Sequence, residues 1–176
     1  MIITRIIKTP IGDMVAGATS EGICLLEFTD RKMLNTEYGI LSKYLREEFS
    51  EGDSGHIDLL EKELESFFDG TLKNFRSPLV FTGTPFQKKV WDELLRIPYG
   101  TTRSYSKQAE AVGGVSSVRA VANANGMNKI SIVVPCHRVI GENGHLTGYG
   151  GGLWRKRWLI DHEMAHSGQA VPLKMF

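Results

Sequence analysis

The pattern of the chain changes at about residue 83, and this change constrains the fold more than any other feature. Before it, apolar and polar residues alternate around turn signals at Thr9-Pro10-Ile11-Gly12 and Ser20-Glu21-Gly22. That two-residue period predicts two or three antiparallel strands within residues 1–30. Helical spacing follows over Leu34 to Phe49 and over Ile57 to Phe68, the second stretch ending at Asp69-Gly70, with the polar loop Ser50 to Gly55 between them. Arg76 to Gly83 reads as a connection, and beyond it short helices with explicit caps take over. The expectation is two domains, residues 1–83 and 84–176, in a chain long enough to give each a core.

The net charge of +1 hides an asymmetry that follows the same boundary. Residues 1–83 hold 9 Lys/Arg against 14 Asp/Glu, and residues 84–176 hold 12 against 6. A basic half on a near-neutral protein suggests a face for a polyanion. No run of eighteen apolar residues is present, so no membrane span is expected, and Met1 to Ile11 lacks the layout of a signal peptide. Two cysteines are too few for a disulfide framework, and Cys24 in Ile23-Cys24-Leu25-Leu26 reads as a small core hydrophobe. A reducing, cytoplasmic setting fits.

In the second half Thr84-Pro85-Phe86-Gln87 combines a capping box with proline at the first helical position. The apolar stripe Phe86, Val90, Trp91, Leu94 and Leu95 continues that helix, which stops before Pro98. Ser104 caps a helix through Val112, closed by Gly113-Gly114, and Ser116 or Ser117 caps another through Asn125, closed by Gly126. This pair is a helix-turn-helix candidate. In its second helix Val118, Val121 and Ala122 are spaced to face a core, leaving Arg119, Ala120, Asn123 and Asn125 to face elsewhere. Arg119 is the one long cation of that outer face.

The chemistry concentrates in Pro135-Cys136-His137-Arg138-Val139. The apolar run Ile130 to Val134 reads as a buried strand that Pro135 terminates, because proline cannot donate to a sheet ladder. Cys136 then sits at a strand exit beside an imidazole and a guanidinium, neighbours that favour the nucleophilic thiolate. A structural cysteine at a strand end is the plainer alternative. After Ile140, Gly141 to Gly152 contains six glycines in twelve residues, a shaped loop whose one large side chain is Tyr149. Leu153 to His162 reads as a last helix.

Taken together, Pro135–Val139, Tyr105, Arg119-Ala120-Val121, Asn128, Gly148-Tyr149-Gly150-Gly151-Gly152 and Glu163 resemble the O6-alkylguanine-DNA alkyltransferases. The family is also called the methylated-DNA–protein-cysteine methyltransferases. The likeness runs from Thr84 to Glu163, and it is to the short form without a phosphotriester-repair domain. It implies an α/β protein with a small N-terminal antiparallel-sheet domain of ribonuclease H-like type and a C-terminal helical, winged-helix-like domain carrying the helix-turn-helix. It implies DNA repair, with the alkyl group of a flipped O6-alkylguanine, and of O4-alkylthymine, transferred irreversibly to Cys136. By resemblance His137 acts on the thiol through a water, Glu163 orients His137, Asn128 holds the cysteine loop and Tyr105 hydrogen-bonds guanine N3. Arg119 fills the place of the flipped base, with Ala120 and Asn123 beside it on the groove face. Ser131, Tyr149, Gly150 and Gly151 wall the pocket. The implied partner is double-stranded DNA bound by a monomer, with no cofactor and no metal.

Three alternatives stand beside this. His162-Glu163-Met164-Ala165-His166 formally matches a zinc-protease motif, but nothing after His166 supplies a third ligand, and Gln169 stands where the extended motif has glycine. A Cys–His thiol hydrolase lacks its usual remote histidine pattern. A lesion sensor that binds without transfer needs no nucleophile, which Cys136 supplies. The chain also departs from the family pattern at Lys129, where many members have proline, at Ser131, where some have a pocket-lining proline, and at Ala122 and Asn123, where some have glycine. Lys129 is expected to loosen the loop of Cys136, and Ser131 to widen the pocket.

Overall fold

The computed structural model describes residues 1–113 and 117–168. Their contacts divide them into two compact units. The first is Met1–Gly83 together with Lys129–Val133, and the second is the remainder from Thr84 onward. The boundary falls between Gly83 and Thr84, but the five residues from Lys129 to Val133 cross it.

The first unit is a four-stranded sheet with two helices. Strands β1 (Ile2–Ile7), β2 (Met14–Ala18) and β3 (Ile23–Phe28) form an antiparallel meander. Thr9 closes the first turn through its hydroxyl, which donates to the Gly12 carbonyl at 2.6 Å. Helix α1 (Leu34–Leu45) stops short of the expected Phe49 because Arg46 turns into the left-handed region at φ 56°. Phe49 instead begins β4 (Phe49–Glu51), which pairs in parallel with β1 and gives the order β3-β2-β1-β4. The expected all-antiparallel sheet thus gains one parallel edge, and part of the expected polar loop is strand. Phe49 is apolar for the core either way, and its ring meets Tyr38 of α1 edge-on at 4.6 Å between centroids. Ser54 caps α2 (Gly55–Phe68) by accepting from Ile57 N–H. The core joins Ile2, Val15, Cys24, Leu25 and Leu41, confirming Cys24 as a packing residue.

Residues 130–134 do not form the expected strand. Ile130 makes one parallel bridge to Leu26, and Ser131 to Val133 then turn through Ile132, at φ 73°. A single bridge satisfies the apolar run by burial alone, and sequence periodicity does not separate that from a strand.

The second unit begins with α3 (Pro85–Leu94), whose capping box joins Thr84 and Gln87 reciprocally. Helices α4 (Tyr105–Val112) and α5 (Val118–Gly126) pack with α3, and Trp91 donates its indole N–H to the Ala124 carbonyl at 2.9 Å. Ser104 and Ser117 cap α4 and α5 as expected. Gly114 and Ser116 lie outside the described residues. Val121 and Ala124 set the inward phase of α5, so Asn125, one turn beyond Val121, is buried and not outward as its polarity suggested. Val118 is exposed, Ala122 only half-buried, and the helix ends on Met127 and not on a glycine cap. Arg119, Ala120 and Asn123 are exposed. Strands β5 (Arg103–Ser104) and β6 (Val139–Ile140) pair in parallel, and α6 runs Leu153–His166, one turn beyond expectation.

Candidate active site

The site lies within the second unit and is organised by one short turn. Pro135 ends the preceding segment, and Cys136–Arg138 form a single 3₁₀ turn. At three residues per turn, successive side chains diverge by about 120°. Cys136 is accordingly half-exposed, while His137 and Arg138 point into the interior.

Glu163 of α6 receives both buried groups. Its Oε1 accepts from His137 Nε2 at 2.6 Å and from Arg138 Nη2 at 2.9 Å, and its Oε2 accepts from Arg138 Nε at 2.8 Å. Arg138 Nη1 donates further to the Ile97 carbonyl at 2.7 Å. Arg138 was expected to act on the thiol, but its guanidinium is committed to Glu163 and the backbone. Gly100 N–H adds a 3.4 Å contact to the same carboxylate, and only glycine fits there: φ is 77°, and a Cβ would lie 2.4 Å from that of Ser167.

Burial alone would raise the Glu163 carboxyl, but His137 and the hydrogen bonds from His137 and Arg138 outweigh it and hold the group at about 2. Burial pushes the His137 imidazole down, against the pull of Glu163. Burial favours a neutral imidazole protonated at Nε2, and in that state the Arg138 charge and the hydrogen bonds of both residues keep Glu163 ionised, an assignment made from the hydrogen-bond pattern. That leaves Nδ1 as a buried acceptor with no hydrogen-bond partner among the described residues.

Asn128 holds the thiol from the other side. Its Nδ2 donates to the Val134 carbonyl at 2.9 Å and to Cys136 Sγ at 3.3 Å. Tyr105 donates its hydroxyl to the Thr147 carbonyl at 3.2 Å, and Lys156 Nζ donates to that carbonyl at 2.9 Å and to Gly148 at 3.3 Å. Lys156 also lies 5.7 Å from the Tyr105 ring centroid. In sequence Lys156 is the middle of the run Arg155-Lys156-Arg157. In the fold it is fully buried, its ammonium pushed down to about 8 by burial although the Cys136 charge opposes this. Tyr149 is half-buried, Gly151 is buried with its carbonyl accepting from Arg155 at 3.0 Å, and Gly150 is exposed. By its contacts Ser131 belongs to the first unit, where its hydroxyl donates to Glu27 at 2.8 Å.

The zinc-protease alternative loses its base here, because Glu163 is turned to His137 and Arg138. His162 stacks on Trp158, His166 Nδ1 pairs with the His162 carbonyl, and no group of three metal-binding side chains occurs among the described residues. Nor is any described helix long and apolar enough to cross a membrane.

A half-exposed thiol, held by an amide and followed by a buried His–Glu pair, defines the class as a protein with a cysteine nucleophile. Residues 85–165 match the family model for the 6-O-methylguanine DNA methyltransferase DNA-binding domain. A methylated-DNA–protein-cysteine methyltransferase of Mycobacterium leprae is 41% identical over 163 residues, covering 93% of both chains. The constitutive enzyme of Bacillus subtilis is 40% identical over 144 residues, covering 82% of this chain and 84% of its own. Among solved structures, Mycobacterium tuberculosis OGT in complex with DNA superimposes with TM-score 0.81 and 38% identity, covering 93% of this chain and 94% of the other. The O6-methylguanine-DNA methyltransferase of Pyrococcus kodakaraensis gives TM-score 0.69 and 29% identity, covering 93% and 99%. The chain belongs to the methylated-DNA–protein-cysteine methyltransferases, as its motifs indicated.

Proposed function

We propose that this chain repairs duplex DNA by moving the alkyl group from O6 of a flipped guanine, or O4 of thymine, onto Cys136. It acts once, as a cytoplasmic monomer needing no cofactor. The observation that carries this reading is the Asn128–Cys136–His137–Glu163 arrangement. An alkoxy carbon on a base is a poor electrophile, so the nucleophile must be a thiolate. The thiol proton passes through a water to His137 Nδ1, leaving an imidazolium that the Glu163 carboxylate stabilises. The sulfur pair forms the S–C bond as the C–O6 bond breaks, and the pair from that bond leaves with guanine. Tyr105 donates toward N3, and the proton first released by the thiol is the one the neutral base finally carries. A thioether has no leaving path, so the protein is consumed. A lesion sensor without transfer is the second reading, and the nucleophile held by Asn128 disfavours it.

Duplex substrate must be unstacked before reaction. Arg119, exposed on α5, has the planar guanidinium suited to filling the vacated place, together with Ala120 and Asn123 on the groove face. Arg119→Ala and Arg119→Lys are both expected to slow transfer from intact duplex by about 10-fold or more while leaving reaction with free O6-alkylguanine base nearly unchanged. Single-turnover rates on duplex, mismatch-weakened duplex and free base test this, and equal losses on all three contradict it.

Lys156 is expected to act as a strap on the pocket loop. Lys156→Met keeps most of the volume but removes both carbonyl contacts. Transfer should fall about 10-fold on duplex and on free base alike, with faster amide exchange around residues 147–149. Unchanged exchange there would show that the loop is held by other contacts.

A further inference from the structure

The second unit gives up its chain at Asn128 and recovers it at Val134, and the residues between them belong to the first unit. Those five residues end three positions before Cys136. Backbone bonds tie them to β3: Leu26 N–H donates to the Lys129 carbonyl at 2.9 Å, and Ser131 N–H donates to the Leu26 carbonyl at 2.9 Å. Around this strap sits a cluster of buried ionisable groups that the chemistry above leaves unused. Glu27 is fully buried and Glu37 nearly so, and Arg31 pairs with both, with Glu37 at 3.1 Å. Ser131 Oγ donates to Glu27 at 2.8 Å, and the buried Lys129 ammonium donates to the Thr82 carbonyl at 2.9 Å. The Lys129 side chain is thus anchored within the first unit.

Two features suggest that this cluster does more than fill space. Burying four ionisable groups is costly, and apolar replacements often stabilise such sites as well or better. Burial and the neighbouring Glu27 push the Glu37 carboxyl up to about 8, and the Glu27 carboxyl is raised as well. Ile132, in the middle of the strap, is a β-branched residue held at φ 73°. Such a conformation costs about 1–3 kcal/mol and persists only where the surroundings over-determine it.

We propose that Glu27, Arg31, Glu37, Lys129 and Ser131 form a positioning network for the transfer reaction, fixing the strained strap so that Asn128 and Cys136 meet in the reactive geometry. The network holds the strap through hydrogen bonds and ion pairs. It gives residues 1–83 a part in the chemistry, transmitted along the covalent chain. The proposal rests on the alkyl-transfer reading of Cys136.

The test compares Ser131→Ala, Arg31→Lys, Arg31→Met and the double variant Arg31→Met/Lys129→Pro with the unmodified chain. Single-turnover transfer is measured from an O6-methylguanine duplex and from free O6-alkylguanine base, with duplex affinity and melting temperature alongside. Because the thiol is displaced and the DNA face is not, both substrates should slow equally. The expected losses are about 3-fold for Ser131→Ala and about 10-fold or more for Arg31→Met, with Arg31→Lys between them and duplex affinity within about 2-fold. Lys129→Pro should return much of the rate lost in Arg31→Met, a non-additivity that a merely structural pair would not give. Since Arg31→Met risks misfolding, Ser131→Ala carries the same prediction at a smaller perturbation. Rates that match the unmodified chain, or losses that fall only with melting temperature and are not rescued by proline, overturn the proposal. An unmodified chain that takes up no alkyl group overturns the transfer reading itself, and so the two failures are distinguishable.

Discussion

Glu163→Ala is expected to cost about 3–5 kcal/mol of stability and to slow alkyl transfer by about 100-fold or more. The two losses have separate causes. The carboxylate is the partner of two buried side chains, and its removal leaves the Arg138 guanidinium uncompensated in an interior that solvates it poorly. It also removes the acceptor that sets the His137 tautomer and stabilises the imidazolium formed when the thiol ionises. Glu163→Gln keeps an acceptor but not the charge, so it should fall between Ala and the unmodified chain on both scales. Acid should reproduce part of the effect. The folded carboxyl, held at about 2, lies below the ordinary 4.5, so its stabilisation is present above pH 4.5 and lost as pH falls toward 2. His137 adds in the same direction, because its lowered folded value means the unfolded chain binds its proton first as pH drops below 6.5. Chemical denaturation between pH 7 and pH 3 measures this, and Glu163→Ala should show a flatter profile. A profile as steep as that of the unmodified chain would assign the acid sensitivity elsewhere.

Cys136→Ala is expected to abolish transfer while leaving affinity for duplex within about 3-fold, because Arg119, Ala120 and Asn123 lie on a separate helix. Cys24 offers no substitute. It is 1% exposed, its thiol faces the Gly17 carbonyl, and burial pushes it up to about 12, so almost none is thiolate near neutrality. Gel-shift titration and a transfer assay on the same preparation separate the two effects. Residual transfer above about one part in a thousand would mean that a second group accepts the alkyl.

What could be read in the sequence was whatever depends on neighbours a few residues apart. The caps at Thr84, Ser104 and Ser117 are local hydrogen bonds, and each appears where its spacing placed it. The Pro-Cys-His-Arg run likewise marked a turn. Most of the failures involve partners beyond the reach of local spacing. Leu45 and Phe49 keep helical spacing, yet Phe49 pairs with Ile2, forty-seven positions away. Arg138 looks like a neighbour of Cys136 in sequence, but a 3₁₀ turn points it away from the thiol toward Glu163. Lys156 lies between two other cations, and its burial follows from the loop carbonyls of Thr147 and Gly148, which the run itself does not show. Asn125 followed the phase set by Val121 and not its own polarity. The buried partner of the Ser131 hydroxyl, Glu27, lies 104 positions away and could not be read from its neighbours.

The central claim is tested most directly by intact-protein mass after mixing with an excess of O6-methylguanine duplex, followed by peptide mapping. The account predicts a gain of one methyl group on Cys136, complete and then constant however long the excess substrate remains. Continued consumption of lesion by the same protein, a methyl group on Cys24, or no gain in mass would contradict it.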